Sequence, residues 1–326
     1  MKIWNLPTID VMKFGDVEES RDVALVTSEA AFRAVEDRIR VNVSSRVTVD
    51  KATESHWQSL VERVDGDVVY AVGGGLAVDA AKYIGKMKGL PVVSLPTAMT
   101  VDAFFTWASG IREDGCVKYI ETGAPERVVI DLDVLAAAPD HLRSAGICDL
   151  LSIATGSWDW RFARDQGKLG DEVGYQGWAD RVAESILESA IDCARAAGAG
   201  EPDGLKQLVD CLALEVQLCN QIGHSRPEEG TEHYFAYSVE HRVDETLPHG
   251  ELVGPGILIA AHLQGQNLAP LKRALNACNV PLDLLPETTI RKTLEGLPAF
   301  VKRHGLPFGI AHLPVALPSE FSKILS

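Results

Sequence analysis

The sequence predicts an α/β domain built on a parallel sheet, followed by an all-helical domain. Short apolar runs rich in β-branched residues alternate with helical patterns between residues 22 and 139. After residue 144 such runs no longer occur, and long amphipathic stretches follow. The chain has 326 residues, which is enough for two domains. We therefore expect an α/β domain over residues 1–143 and a helical domain over residues 144–326.

Five segments carry the strand pattern in the first domain. They lack polar and apolar alternation, which is typical of parallel strands whose two faces are both covered by crossover helices. The predicted strands are 22–27, 46–49, 67–72, 91–95 and 127–131. In the second domain the clearest helical patterns cover residues 180–197 and 204–222.

Composition excludes several classes of partner. The formal net charge is -15, with acidic and basic residues interspersed, so we expect neither a nucleic acid nor an anionic membrane as partner. The first residues lack the pattern of a secretory signal, no apolar run is long enough to span a bilayer, and a cytoplasmic location is expected. The six cysteines include no Cys-x-x-Cys pair, so we expect them to be structural.

A glycine-rich turn follows the predicted strand 67–72. Gly73, Gly74 and Gly75 lead into an alanine-rich helical pattern, so bare backbone N–H groups and a helix N-terminus are placed where a phosphate or pyrophosphate can bind. A tight strand-to-helix turn explains the same residues equally well. Asp79, one turn into the helix, can hydrogen-bond a loop or a ribose, or complement the helix dipole.

Polar residues also follow the predicted strand 91–95. Thr97, Thr100, Asp102 and Thr106 occupy the carboxyl end of that strand, where open parallel sheets bind ligands. The alternative is a threonine-rich loop whose hydroxyl groups cap the next turn. Further on, Lys118 lies in a segment of extended character, where it is either solvated or neutralises an anionic substrate group.

Three residues are candidate metal ligands. Asp149, His233 and His249 supply one carboxylate and two imidazoles, the number of protein ligands that a catalytic divalent metal uses when one position stays open. Taken singly, the aspartate is most often a helix cap and the histidines surface or core residues. His241, eight residues after His233, is the best substitute ligand, and His224 and His262 lie nearby in the sequence.

The order of these motifs resembles the glycerol-1-phosphate dehydrogenase branch of the superfamily that joins iron-type alcohol dehydrogenases, glycerol dehydrogenase and dehydroquinate synthase. The resemblance covers nearly the whole chain and is strongest over residues 145–160. It implies a Rossmann-like sheet domain followed by a helical domain, as in dehydroquinate synthase. The motifs that carry it are Gly-Gly-Gly-x-x-x-Asp-x-x-Lys, Pro-Thr-x-x-x-x-Asp, Ala-Gly-x-x-Asp-x-x-Ser, Glu-His and His-Gly-Glu-x-Val.

The resemblance also implies functional roles. It implies a metal-dependent oxidoreductase that transfers hydride between NAD or NADP and a small polyol or its phosphate. The first candidate substrates are glycerol 1-phosphate and dihydroxyacetone phosphate. A homo-oligomer, a dimer or larger, is also expected. The divalent metal, zinc in this branch with iron or nickel also suited to the donors, maps onto Asp149, His233 and His249. The cofactor maps onto Gly73, Gly74, Gly75, Asp79, Thr97, Thr100 and Thr106.

The substrate side carries one departure from the branch. Asp102 is implied to touch substrate and, by its position, to accept the alcohol proton, with Lys118 pairing with a phosphate. Members of the branch have a histidine four residues after the first metal-binding one; here that residue is Tyr237, which donates a hydrogen bond but does not titrate near neutral pH. The choice between NAD and NADP stays open, since Glu29 either bonds a ribose hydroxyl or begins a helix.

Two other functions remain as alternatives. A dehydroquinate-synthase-like cyclase would use the cofactor only transiently, but that family has a glutamate where this chain has Asp149. A non-catalytic descendant would bind nucleotide or metal without turnover. The retained candidate ligands and glycine turn argue against this loss of activity, and Tyr237 leaves it open.

Overall fold

Six parallel strands form the central sheet of the N-terminal half. The computed structural model describes residues 2–114, 116–170, 173–243, 247–314, 317–318 and 321–325. The sheet order is β1-β8-β5-β4-β2-β3, and β6 and β7 form a separate antiparallel hairpin. The strands are β1 (Thr8–Val11), β2 (Val23–Thr27), β3 (Val43–Thr48), β4 (Val68–Gly73), β5 (Val92–Pro96), β6 (Ala108–Glu113), β7 (Cys116–Glu121) and β8 (Arg127–Ile130).

The five strands predicted from the sequence are confirmed, and the described residues form three further strands, β1, β6 and β7. Every residue of β2, β4 and β5 is buried, which explains why these segments are mostly apolar and lack a polar and apolar alternation. β1 has only four residues, pairs with β8 at the edge of the sheet, and carries Asp10, which pairs with Arg127. A short, partly exposed edge strand with a charged residue lacks the pattern on which the prediction depended.

Helices cover the sheet and form most of the C-terminal half. The predicted helical stretches 180–197 and 204–222 are confirmed as parts of α8 and α9. The helices are α1 (Glu29–Val35), α2 (Glu54–Val61), α3 (Gly75–Lys88), α4 (Leu132–Ala136), α5 (Asp140–Arg143), α6 (Ile147–Leu151), α7 (Ile153–Asp165), α8 (Gly177–Gly198), α9 (Pro202–Ile222), α10 (Thr231–Glu240), α11 (His249–Leu263), α12 (Ala269–Ala277), α13 (Glu287–Arg303) and α14 (Ser322–Leu325).

One buried apolar cluster extends through both halves of the chain. It begins on one face of the sheet, with Val26 and Trp57, and continues into the helical half with Trp160, Leu212 and Phe300. A smaller cluster covers the other sheet face. The division at residues 143 and 144 falls directly after α5 and stays a prediction. Among the described helices, none is both long and apolar enough to cross a membrane.

The site is positioned where the two halves meet. The segment that follows β5, the hairpin of β6 and β7, and the helices α3, α6, α9, α10 and α11 contribute residues to one cavity. Ligands of open parallel sheets bind at this edge. The fold thus brings motifs far apart in the sequence to one place.

Candidate metal and cofactor site

Three helices bring the candidate metal ligands together. Asp149 lies in α6, His233 lies in α10, and His249 is the first residue of α11. Their ligand atoms all lie within 4.8 Å of one another. Asp149 Oδ1 is 3.4 Å from His249 Nε2, and the two imidazole rings are 5.3 Å apart between centroids. The three residues whose spacing suggested a metal are therefore neighbours.

The donor set fits a divalent cation. Asp149 Oδ1 is buried without a hydrogen-bond partner, while its Oδ2 accepts a 2.8 Å bond from the Asp102 backbone N–H. A buried carboxylate oxygen without a partner is costly unless a cation or water satisfies it. The substitute ligand His241 is exposed and lies against Phe300, away from this cluster. Three protein donors leave at least one coordination position for substrate.

Glu232, to which sequence analysis gave no role, orients His233. The carboxylate is fully buried and its Oε1 lies 3.0 Å from His233 Nδ1, while its Oε2 accepts a 2.6 Å bond from Thr155 Oγ1. Burial opposes charge on His233, but the hydrogen bond and charge of Glu232 raise the pKa of that imidazole to about 9. A carboxylate on one ring nitrogen leaves the other free for a metal, an arrangement common around ligating histidines.

We expect Glu232→Gln to weaken metal binding by about 10-fold, because loss of the carboxylate reduces the basicity of His233 and the control of its orientation. Metal affinity is measured by competition with a chromogenic chelator. Glu113→Gln, which removes an exposed carboxylate of the hairpin, serves as the control. Equal metal affinity for the Glu232→Gln variant and the wild type would show that Glu232 serves stability alone.

The glycine turn and the threonine loop lie against each other at the sheet edge. Gly73 has φ +148°, and the N-cap Gly74 has no side chain to cap α3. A Cβ at Gly75 would lie 2.8 Å from Val101 Cγ2, so a side chain there displaces the threonine loop. The Thr97 N–H donates a 3.2 Å bond to the Gly73 carbonyl. This bare helix N-terminus fits a pyrophosphate.

Thr100 also lies against the glycine turn. A Cβ built at Gly74 would lie 3.3 Å from Thr100 Oγ1, so the hydroxyl directly faces the glycine turn. The five residues expected at the cofactor's phosphate side are thus adjacent: Gly73, Gly74, Gly75, Thr97 and Thr100.

Asp79 and Thr106 are joined through Lys82, a residue of the glycine motif to which no role was given. The Lys82 side chain is fully buried; its Nζ lies 3.0 Å from Asp79 Oδ1 and donates to Thr106 Oγ1 at 3.1 Å. Asp79 Oδ2 accepts a 3.2 Å bond from the Gly110 N–H of the hairpin. Asp79 therefore hydrogen-bonds a strand of the hairpin, and its contact with a ribose stays a prediction.

A cavity of about 300 Å³ lies beside these groups. Six of the predicted site residues line it, whereas the glycine turn, Thr97 and Thr100 lie at the adjoining sheet edge and are not part of its lining. The predicted residues in its wall are Asp79, Asp102, Thr106, Asp149, His233 and His249.

Asp102 has an electrostatic environment that favours protonation. Burial and the neighbouring charge of Asp149 raise the pKa of the Asp102 carboxyl well above its usual range. Since Asp102 also lines the cavity, its carboxyl group can hold a proton beside a bound substrate.

The structure corrects the expectation for Lys118. The side chain is 58% exposed, pairs with Glu113 at 2.6 Å, and is not among the described residues that line the cavity. In the hairpin, successive side chains point to opposite faces, and the next residue, Tyr119, reaches the cavity instead. Lys118 therefore lies outside the cavity wall that the described residues form.

Tyr237 is buried beside the cavity rather than in its described lining. Its hydroxyl donates a 2.9 Å bond to Glu229 Oε1 and lies 3.2 Å from the hydroxyl of Tyr119. Both Glu229 and Tyr119 line the cavity. Tyr237 thus acts on the site through its neighbours.

A second group of candidate ligands has two members, Cys219 and Glu228, in this wall. Glu215, Cys219 and Glu228 have ligand atoms within 4.8 Å of one another, and Cys219 Sγ lies 2.9 Å from Glu215 Oε1. Burial raises the pKa of Glu215 to about 7, and burial with the charge of Glu215 raises the pKa of Glu228 well above its usual range. Helical spacing in α9 placed Glu215 and Cys219 on one face, but their burial could not be read from the sequence.

Glu215 predicts a pH-dependent stability. Its folded-state pKa of about 7 exceeds the value of 4.5 for an unperturbed glutamate, so the folded protein binds the proton more tightly than the unfolded chain. Stability is therefore lost as pH rises from 4.5 to 7 and is constant above that interval. We expect Glu215→Gln to gain about 2 to 3 kcal/mol relative to wild type between pH 5 and pH 8.

Urea denaturation at a series of pH values measures this difference. Glu188→Gln, which replaces an exposed glutamate of α8, is the matched control and is expected to track the wild type. A Glu215→Gln variant whose free energy of unfolding runs parallel to that of the wild type at all pH values would contradict the prediction.

Comparison with known proteins shows the family of this chain. Residues 11–139 match the family model of iron-containing alcohol dehydrogenases. Glycerol-1-phosphate dehydrogenase (NAD(P)+) of Sulfurisphaera tokodaii is 30% identical over 260 residues, covering 78% of this chain and 72% of the relative. The enzyme of the same name from Thermofilum pendens is 33% identical over 253 residues, covering 76% and 72%. The chain belongs to the glycerol-1-phosphate dehydrogenase family.

Solved structures show the same fold for this family member. A probable glycerol dehydrogenase from Sinorhizobium meliloti superposes with a TM-score of 0.69 at 18% identity, covering 99% of this chain and 96% of that one. Sulfoacetaldehyde reductase from Bifidobacterium kashiwanohense, solved with NAD+, has a TM-score of 0.67 at 16% identity, covering 95% of each chain. Family membership makes this chain an NAD(P)-dependent, metal-dependent alcohol dehydrogenase.

Proposed function

We propose that this enzyme interconverts a secondary hydroxyl group and a ketone on a small polyol or its phosphate, at the cavity lined by Asp102, Asp149, His233 and His249. The relatives named for glycerol 1-phosphate place three-carbon substrates first. The observation that carries the proposal is the convergence of one carboxylate and two imidazoles, all within 4.8 Å, beside a glycine-rich helix N-terminus. Substrate and cofactor then meet at the junction of the two halves.

The donor set indicates the metal. Two imidazoles and one carboxylate suit zinc, and iron or nickel bind the same donors. A divalent metal held by Asp149, His233 and His249 supplies a Lewis acid for the substrate oxygen, and a nicotinamide supplies or accepts the hydride. The glycine turn and its threonine neighbours hold the pyrophosphate of NAD or NADP.

The chain's own residues control the proton and the orientation of the ligands. Asp102, whose carboxyl pKa is raised, takes the proton of the substrate hydroxyl during oxidation and returns it during reduction. Its backbone N–H fixes Asp149 Oδ2, so one residue both moves the proton and positions a ligand. Glu232 holds His233 at Nδ1.

The proposal is tested with enzyme loaded with zinc, iron or nickel. Reduced nicotinamide is followed by absorbance with three-carbon ketones and alcohols, with and without phosphate. We expect turnover that a chelator abolishes and that restored metal recovers. Absence of net redox turnover with every substrate, in protein that binds metal and cofactor, would exclude the proposal.

A further inference from the structure

A second set of donor groups lies at the same cavity as the candidate metal ligands. Glu215 and Cys219 are one turn apart in α9, and Glu228 lies in the segment between α9 and α10. Their ligand atoms all lie within 4.8 Å of one another. These three residues, the Glu-Cys-Glu cluster, supply two carboxyl groups and one thiol, and none of them belongs to the first set of ligands.

The spacing of the Glu-Cys-Glu cluster suits a small divalent cation. Cys219 Sγ lies 2.9 Å from Glu215 Oε1 and 3.9 Å from Glu228 Oε1. Donor atoms around a tetrahedral ion, with bonds of about 2.0 to 2.3 Å, lie about 3.5 Å from one another. The two measured distances fall on either side of this value, so shifts of about 1 Å or less bring the three donors around one ion.

The carboxylate of Glu215 has one oxygen without a partner. The residue is 1% exposed; its Oε1 accepts the hydrogen bond from the Cys219 thiol, and its Oε2 has no hydrogen-bond partner. Asp149 Oδ1, in the first set of ligands, is buried in the same state. A buried carboxylate oxygen of this kind costs free energy until a cation, a water or a proton satisfies it.

The surroundings of the cluster hold its groups in their protonated forms when no cation is bound. Burial and neighbouring carboxylates, chiefly Glu215 and Asp102, raise the pKa of Glu228 well above its usual range. Burial and the charge of Glu215 do the same to the pKa of the Cys219 thiol. A divalent cation replaces these protons, because it deprotonates a coordinating thiol and its charge offsets that of the carboxylates.

We infer that the Glu-Cys-Glu cluster binds a second divalent metal ion of borderline softness, such as zinc or cobalt. The thiol disfavours magnesium and calcium, which bind oxygen donors. Because Cys219 and Glu228 line the cavity, the ion keeps a coordination position open toward it. The inference goes beyond the proposed function, since it depends on neither the substrate nor hydride transfer.

The second ion is expected to bind more weakly than the first. Two carboxyl groups and a thiol must lose protons before they can hold it, and this cost reduces the affinity. We therefore expect dialysed protein to retain mainly the first ion. The stability gain of Glu215→Gln is accordingly a property of protein without the second ion.

Titration of chelator-treated protein with cobalt(II) tests the inference. A thiolate bonded to cobalt(II) gives an intense near-ultraviolet charge-transfer band, whereas imidazole and carboxylate ligands do not. Absorbance and bound cobalt per chain are measured together. We expect two equivalents to bind and the band to appear. Saturation at one equivalent, or two equivalents without the band, overturns the inference.

Variants assign the band to the cluster. We expect Cys219→Ser to lose it, and Glu228→Gln to weaken binding of the ion that gives it by at least about 10-fold, a loss seen even for groups one step removed from a metal. His249→Ala is expected to keep the band, because it removes a ligand of the first ion only. Cys278→Ser, at a buried cysteine outside the described cavity wall, is the matched control and is expected to keep both ions.

The variants also show how the inference can fail. A band that persists in folded Cys219→Ser, or that disappears in Cys278→Ser or His249→Ala, overturns it. Circular dichroism checks the fold; if Cys219→Ser does not fold, Glu228→Gln decides, and wild-type cobalt affinity in that variant overturns the inference. These measurements need no turnover, so their outcome is separate from that of the proposed function.

Discussion

Replacing His249 with alanine is expected to remove most of the bound metal and to lower kcat by about 1000-fold or more. The variant keeps only two of three donors, and Asp149 Oδ1, 3.4 Å from the lost imidazole, stays buried without a partner. Loss of a Lewis acid worth several kcal/mol accounts for an effect of this size. Metal content per chain and kcat with a three-carbon substrate are the two measurements.

His241→Ala is the matched control for that experiment. This histidine is exposed and lies directly after α10, the helix that contains His233. It contacts Phe300 rather than the cavity. We expect it to retain metal and kcat. Stoichiometric metal together with normal kcat in His249→Ala would contradict the ligand assignment.

Lys82→Met is expected to lower the free energy of unfolding by about 3 to 5 kcal/mol. Removing one partner of a buried ion pair leaves the other charge uncompensated, and here Asp79 also loses the 3.0 Å contact that fixes it. Lys82 further donates to Thr106 Oγ1 and to the backbone of the loop. We therefore expect weaker cofactor binding as a second effect, because the loop beside the glycine turn loses its support.

Urea denaturation and titration with reduced nicotinamide measure the two effects. Lys118→Met is the control, since that lysine forms an exposed pair with Glu113 and its replacement is expected to leave the free energy of unfolding unchanged. A Lys82→Met variant as stable as this control would show that the buried contacts of Lys82 contribute little.

Most of the sheet could be predicted because burial on both faces leaves a clear pattern. β2, β4 and β5 are wholly buried and are apolar except for Thr27 and Ser94. β1 and the hairpin were not predicted, because their strands are partly exposed and lack this apolar pattern. β7 has three exposed and two partly exposed residues among its six, and its side chains are polar or charged at several positions.

The residues of the candidate site were likewise predicted only in part. Motif order was enough to locate the three candidate ligands, because short sequence patterns retain the residues that chemistry requires. The hairpin was not predicted from the sequence, so the register of its strands was unknown. The face of the strand on which Lys118 lies depends on that register, and its position was therefore predicted wrongly. The roles of Glu232 and Glu229 could not be predicted, because they depend on contacts that form only in the folded chain. Glu232 contacts Thr155 and His233. Glu229 contacts Ser225 and Tyr237.

The hairpin also bears on how substrate range can change within this fold. β6 and β7 pair with each other and not with the six-stranded sheet, yet Gly110 and Tyr119 reach the cavity. Substitutions at hairpin positions that face the cavity can therefore reshape it, while β4 and β5, which precede the glycine turn and the threonine loop, keep their pairing. Diversification of substrate is separated from maintenance of the catalytic framework, so the hairpin is the natural starting point for directed evolution of new alcohol specificities.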